Sequence, residues 1–348
     1  MSEVKNQKRI FGIDLARGIA IFLAMTSHTF TSLNFYPIME INLLFRSATP
    51  LFIVVLGFFL YFSYFAKIDR KGFKFVRGKL WEKALKCYLY YLFSCAVWVF
   101  FSDFSLLYFF RLGLLLSGTP FTDILKFYAV VLFVSPYLLM LLRSERYILL
   151  AFIILTPHIL TFYGLLPSLS FLPYGEYISA MLYGGSDVIA GPSVLHSLFF
   201  VFIGILLAKN FNGDSLFGSN SHILAIFVFL LSLFFYLPVS LKELATMELR
   251  NKNFLEYFIY GSITSILIIE LSLFTAKYMA KRYFQPFLTL SKSSLILFCY
   301  GNSFLYIIYQ NFSFTPVRFF FIFLFFYLLC KFNVYLKGEV KGMRSRFN

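Results

Sequence analysis

Three ionisable residues stand within one apolar stretch near the start of the chain: Asp14, Arg17 and His28. On a helix advancing about 100° per residue, Asp14 and Arg17 lie about 300° apart. Arg17 and His28 lie about 1100° apart, roughly 20° past three full turns, so all three point to one side. Arg17 and His28 are separated by roughly 16 Å along the axis, about half the hydrocarbon thickness of a bilayer. An ionisable group at that depth costs a few kcal/mol and needs a partner or a task. Asp14 and Arg17 can pair locally. His28, next to Thr26, Ser27 and Thr29, is of the type best suited to take a proton near neutral pH. An arginine below it can anchor an anionic group through paired hydrogen bonds. The pattern predicts proton abstraction beside a bound anion. A structural ion pair with an interfacial histidine explains the same residues without chemistry.

The surrounding chain decides what can position these groups. It has 348 residues, 60% hydrophobic, 22% aromatic and only 14% charged, with a mean hydropathy of +0.79. Soluble proteins carry about 25% charged residues. The composition excludes a water-soluble enzyme, a disordered chain and a small disulfide scaffold. It predicts an all-α, polytopic membrane helical bundle forming one domain over 1–348. Apolar stretches at 10–30, 42–65, 86–101, 123–142, 147–166, 193–208, 222–241, 257–279, 292–311 and 314–336 give about ten transmembrane helices.

The net charge of +15 does not indicate nucleic acid, because the positive residues cluster in short segments between apolar stretches. There they orient the chain and meet anionic lipid. The segment 67–86 carries eight lysines and arginines against Asp69 and Glu82, which places it in the cytoplasm. The basic N-terminus (Lys5, Lys8, Arg9) and tail (Lys337, Lys341, Arg344, Arg346) put both termini on that side too, so the number of crossings is even. Segment 105–117, interrupted by Arg111, is therefore expected not to cross. The stretch 167–192 then faces outward. No cleavable signal peptide is evident, since the first apolar run carries Asp14, Arg17 and His28. Cys87, Cys95, Cys299 and Cys330 show no metal spacing and read as reduced packing residues, and no metal site is expected.

Other polar residues need assignment. Arg46 opens the second span from the outer side and can lie near His28, to bind an anionic acceptor or an oxyanion, or to snorkel to the interface. Glu176 and Asp187 in the outward stretch could bind sugar hydroxyls or be ordinary loop charges. His196, close to Pro192, is a candidate acceptor-site residue, whereas His158 after Pro157 reads as structural. Glu270, deep in a span, needs a partner.

The stretch RIFGIDLARGIAIFLAMTSH, Arg9 to His28, resembles the first helix of the integral-membrane acyltransferase-3 superfamily. That helix carries an Asp-x-x-Arg-Gly-x-Ala pattern followed by an essential histidine, and this chain has Asp14, Arg17, Gly18, Ala20 and His28 in register. PLFIVVLGFFL at 50–60 resembles the second helix, KALKCYLYYL at 83–92 the basic pair before the third, and TLSKSSLILFCYGN at 289–302 the late Asn-Ser-Leu helix. Segment 121–143 is similar to the branch that includes the periplasmic-glucan C-succinyltransferases. Lys83 and Lys86 stand where many members have arginines, Leu56 where a serine is common, and Gly301 where a histidine often follows.

The resemblance implies an O-acyltransferase of the bacterial inner (cytoplasmic) membrane. It would move an acetyl or succinyl group from cytoplasmic acyl-coenzyme A to a hydroxyl of an envelope glycan. His28 would be the general base, with Asp14 and Arg17 positioning the donor or holding the helix. The polyanionic donor would meet Arg77, Lys79, Lys83 and Lys86. Arg46, Glu176 and His196 would face the acceptor. The partners implied are the bilayer, acyl-coenzyme A as donor substrate and the glycan. No tightly bound cofactor and no nucleic acid is implied. Direct transfer is favoured over a covalent acyl-enzyme on Ser27 or a cysteine, because no Ser-His-Asp arrangement is legible. A transporter or flippase for a glycan or small metabolite is the competing reading, against which stands the missing internal repeat.

Overall fold

The computed structural model describes residues 10–102, 104–184, 193–213, 215–217, 221–309 and 311–346. Asp187 and the N-terminal charges Lys5, Lys8 and Arg9 lie outside them. Among the described residues the regular structure is entirely helical. Each of the ten apolar stretches carries helix. In chain order we label α1 (Phe11–Ser32), α2 (Met39–Lys71), α3 (Phe73–Phe101), α4 (Leu106–Gly113) and α5 (Asp123–Arg143). Next come α6 (Tyr147–Phe162), α7 (Gly175–Tyr183), α8 (Val194–Lys209) and α9 (Ser221–Tyr236). Last are α10 (Leu255–Tyr278), α11 (Gln285–Lys292), α12 (Ser294–Ile307) and α13 (Pro316–Arg346). Five segments, in α2, α3, α5, α10 and α13, are long and apolar enough to cross a membrane, and α6, α8, α9 and α12 are shorter apolar helices. The stretch 167–192, whose charges read as loop charges from the sequence, contains α7.

Glycines let the central helices touch. At Gly57 in α2 a Cβ would collide with the carbonyl of Val201, and at Gly204 in α8 with that of Val54. The two backbones thus pack directly, in the small-residue manner of helices in lipid. Gly18 does the same for α1, because a Cβ there would strike the carbonyl of Phe287 in α11. α13 lies at the periphery and shows Phe320, Phe321 and Phe332 outward.

α1 and the α11–α12 stretch run parallel and in step. Arg17 bonds Ser291, and His28, eleven residues on, bonds Asn302, also eleven residues on. α13 runs back along them: Phe319 stacks on Phe30, and Lys337 donates to the carbonyl of Lys292. The C-terminal half of α13 therefore returns to the Arg17 end. At the other end, Trp98 in the last turn of α3 packs on Tyr306, and so does Phe121, just before α5. The chain between them leaves and re-enters the bundle at the same level. α4 has eight residues, about 12 Å, and is too short to span.

Two helices switch to π geometry, at Leu60–Phe65 within α2 and Leu297–Gly301 within α12. Such bulges are frequent at functional sites. Glu270 receives Ser215 Oγ at 2.5 Å and the amide of Leu216 at 2.7 Å, which meets its need for a partner.

Candidate active site

The one-sided face of α1 opens on two cavities, one near each end of the helix. His28 lines a cavity of about 180 Å³ together with Ser27, Arg46, Asp123, Arg250 and Tyr257. Arg17 lines a cavity of about 520 Å³ together with Ser63, Tyr64, Lys67, Lys83 and Lys86. Val55, Leu56, Leu125 and Leu132 form its apolar wall. Phe52 and Phe298 line both cavities. The two chambers thus meet at a ring pair.

His28 is held on two sides. Its Nδ1 lies 2.9 Å from Asn302 Oδ1. Asn302 is fully buried, and its Nδ2 donates to the carbonyls of Phe298 at 2.9 Å and Phe121 at 3.4 Å. With its two N–H groups committed to carbonyls, the amide presents only its oxygen to the imidazole, so Nδ1 carries the proton and Nε2 the lone pair. The ring also stacks on Phe121, with centroids 4.8 Å apart. Phe121 in turn stacks on Tyr306 at 5.2 Å, and its amide donates to the Tyr306 hydroxyl.

The segment carrying Phe121 is stapled by a buried ion pair. Asp123 and Lys126 lie 3.2 Å apart, with side chains only 6% and 3% exposed. Asp123 Oδ1 accepts from the Thr119 amide at 2.8 Å and its hydroxyl at 3.0 Å, while Lys126 donates to the Ser117 carbonyl. Each charge is met by hydrogen bonds as well as by its partner, as buried charges require.

Arg17 is fixed just as closely. Nε donates to Ser291 Oγ at 2.9 Å and Nη2 to the Ser291 carbonyl at 2.6 Å. Asp14, buried, lies 3.6 Å away, and the guanidinium rests over the Phe59 ring. The close approach at Gly18 brings Ser291 within reach. Asp14 thus braces Arg17 from behind the cavity wall.

The basic segment divides. Lys83 and Lys86 reach the Arg17 cavity, Lys86 also bonding Glu82 at 2.7 Å and Lys83 sitting over the Tyr64 ring. Arg77 instead stacks on Trp81 and Phe73, and Lys79 pairs with Glu82 at the surface; neither lines the cavity. Arg46 lines the His28 cavity and donates Nε–H to the Ala245 carbonyl at 2.9 Å. Glu176 is exposed on α7 and lies outside the cavity lining. His196 is fully buried, its ring nitrogens 2.7 Å from Thr161 Oγ1 and 3.0 Å from Ser193 Oγ. It packs edge-on against His158 and belongs to the helix packing rather than to the cavity.

Sequence reasoning missed Asn302, Lys67, Arg250 and the Asp123–Lys126 pair. A lysine three residues after an aspartate in an apolar span was the one local signal available, since such a pair is spaced to meet on a helix.

Among the described residues no cluster of three metal-ligating side chains is present. Neither a curated protein nor a solved structure matches the chain. A family model described as an acyltransferase domain, that of acyltransferase-3, matches residues 10–332. A match running from the first helix that carries Arg17 and His28 to the helix that closes the bundle shows that this membrane protein belongs to the acyltransferase-3 family.

Proposed function

We propose that the protein moves a short acyl group, acetyl or succinyl, from acyl-coenzyme A on the cytoplasmic side to a hydroxyl of an envelope glycan on the far side of the bacterial inner membrane. One observation carries this reading: Arg17 and His28, on a single helix, line two chambers that meet at Phe52 and Phe298. The inner chamber combines Arg17, Lys67, Lys83 and Lys86 with an apolar wall, which suits a polyphosphate followed by a long uncharged arm. Lysines act there as point charges rather than bidentate forks.

In the reaction the acceptor hydroxyl attacks the thioester carbonyl and a C–O bond forms. His28 Nε2 takes the hydroxyl proton, the C–S bond breaks, and the proton passes to the departing thiolate. Asn302 holds Nε2 as the proton acceptor and receives the Nδ1–H of the imidazolium that forms. General-base help of this kind is worth about 10²–10⁴ in rate. Arg46 and Arg250 bring positive charge to the chamber in which the carbonyl oxygen becomes negative, where preorganised charge acts most strongly.

The orientation proposed is ten crossings with both termini inside. α1 and α12 running parallel supports it, since an additional crossing at 105–117 would make them antiparallel. The ion pair of Asp69 with Arg143 at 3.1 Å supports a common basic face. The likeness of 121–143 to the periplasmic-glucan C-succinyltransferase branch favours a glucan acceptor. Mass spectrometry of envelope glycans from a deletion strain and its complemented parent tests the assignment. A glycan lacking one acyl mass in the deletion is expected; identical glycans would overturn it.

A further inference from the structure

Donor and acceptor chambers separated by a ring pair raise the question of what the pair selects. Phe52 and Phe298 are the only described residues lining both cavities. They are 7% and 3% exposed and meet edge-to-face with centroids 5.1 Å apart. Neither ring is loosely held. Phe52 packs on Tyr128 at 5.1 Å, and the Tyr128 hydroxyl donates to the Phe52 carbonyl at 2.7 Å, fixing α5 against α2. Phe298 sits in the π-helical turn Leu297–Gly301, and its carbonyl accepts from Asn302, the residue that bonds His28. The backbone that carries one of the two rings is therefore joined through a single side chain to the imidazole.

The chambers on either side are unequal. The inner one has a volume of about 520 Å³ and the outer about 180 Å³. Arg17, Lys67, Lys83 and Lys86 line the inner chamber and not the outer one, and Val55, Leu56, Leu125 and Leu132 give the inner chamber an apolar wall. A thioester presented to His28 must therefore carry its acyl end up to or past the two rings. Space there is set by aromatic edges that are themselves packed, so each added methylene must displace a ring from a close-packed contact.

We propose that Phe52 and Phe298 form the constriction between donor and acceptor chambers and set the length of acyl group that can be transferred. This rests on the acyltransfer reading above. A short acyl group is accommodated by a small rotation of the rings, while a longer one is excluded by them. Hydrophobic sites discriminate one methylene by about tenfold or more, so exclusion of a four-carbon chain, butyryl or succinyl, against acetyl reaches about a hundredfold, and of the two acyl groups named above the constriction selects acetyl.

Two measurements on the purified full chain in sealed proteoliposomes test this. The first follows release of free coenzyme A from acetyl-, succinyl-, butyryl- and hexanoyl-coenzyme A with glycan extract from a deletion strain, for the parent, Phe52→Ala and Phe298→Ala. The butyryl-to-acetyl rate ratio should rise at least tenfold in each alanine variant; an unchanged ratio in both overturns the proposal. The second needs no turnover. Ser27→Cys places a thiol in the outer chamber, and a charged thiol reagent is applied on the side carrying Lys83. Labelling above the parent background should be at least tenfold faster when Phe52 or Phe298 is alanine. Equal rates with and without the rings overturn the constriction. Absence of coenzyme A release from any donor by the parent would instead defeat the acyltransfer reading, leaving the labelling rates to decide the constriction.

Discussion

Asn302 turns its side-chain oxygen toward His28 Nδ1 at 2.9 Å while its nitrogen is held by the carbonyls of Phe298 and Phe121. This fixes which imidazole nitrogen can act as a base. Replacing Asn302 by Leu removes the acceptor for Nδ1–H and frees the ring to adopt the other tautomer. The expected outcome is a fall of about 10–100-fold in transfer rate, the size of effect seen when a partner that orients a histidine is lost. Donor binding, measured by calorimetry on the purified protein, should be unchanged. A variant that transfers at the parent rate would show that the tautomer is not controlled from α12.

Arg17 makes the second prediction. Arg17→Lys keeps the charge beside Asp14 but cannot reproduce the two bonds to Ser291 or the planar fork. The donor Kd should rise about tenfold, with folding retained as judged by thermal melting in detergent. An unaltered Kd would place donor binding on Lys67, Lys83 and Lys86 alone. Arg77→Ala and Lys79→Ala, which alter side chains outside the cavity, should change the donor Kd by less than about twofold once screening at the surface is considered.

The third prediction concerns the staple under Phe121. Lys126→Met leaves Asp123 buried without its cation, which costs about 3–5 kcal/mol for buried pairs. Combining it with Asp123→Asn, which keeps acceptance from Thr119, should recover part of that loss. Thermal melting reads both. If the double variant is less stable than Lys126→Met by a further similar amount, the two side chains act independently and the staple is not a unit.

Much of the candidate site was legible because it lies on one helix. The angular arithmetic for Asp14, Arg17 and His28 requires only the helical period, and the structure puts Arg17 and His28 on cavity walls with Asp14 braced behind. The ten apolar stretches likewise declare themselves by length and composition. What the sequence could not show depends on contacts between distant segments. Asn302 and Ser291 meet their α1 partners across 274 residues. No local pattern reports such a pairing. The π turns at 60–65 and 297–301 have no periodic signature, yet they supply Ser63, Tyr64 and Phe298 to the cavities. His196 illustrates the opposite limit: a histidine near an expected loop reads as a ligand until Thr161 and Ser193 are found at its two nitrogens.

Glycine packing gives the fourth prediction. Gly57→Ala would drive a methyl group into the carbonyl of Val201, so α2 and α8 must separate. Overpacking of this kind costs about 1–3 kcal/mol. A lower melting temperature with reduced expression in the membrane fraction is expected. Unchanged stability would show that the two helices are free to slide apart.

The fifth concerns topology. Ser105 and Leu114 flank α4 and are exposed. Single substitutions Ser105→Cys and Leu114→Cys should be labelled from the same side of sealed vesicles, opposite to the side that reaches Lys83. Labelling from opposite sides would remove the ten-crossing orientation.

The central claim is that a proton acceptor at the outer chamber and a cationic anchor at the inner chamber serve one transfer. His28→Ala tests it most directly, with acyl-coenzyme A binding and transfer to envelope glycan measured on the same preparation. Donor affinity within about twofold of the parent, with transfer lowered by about 10²–10⁴, is the predicted result. Transfer at the parent rate without the imidazole would contradict the account.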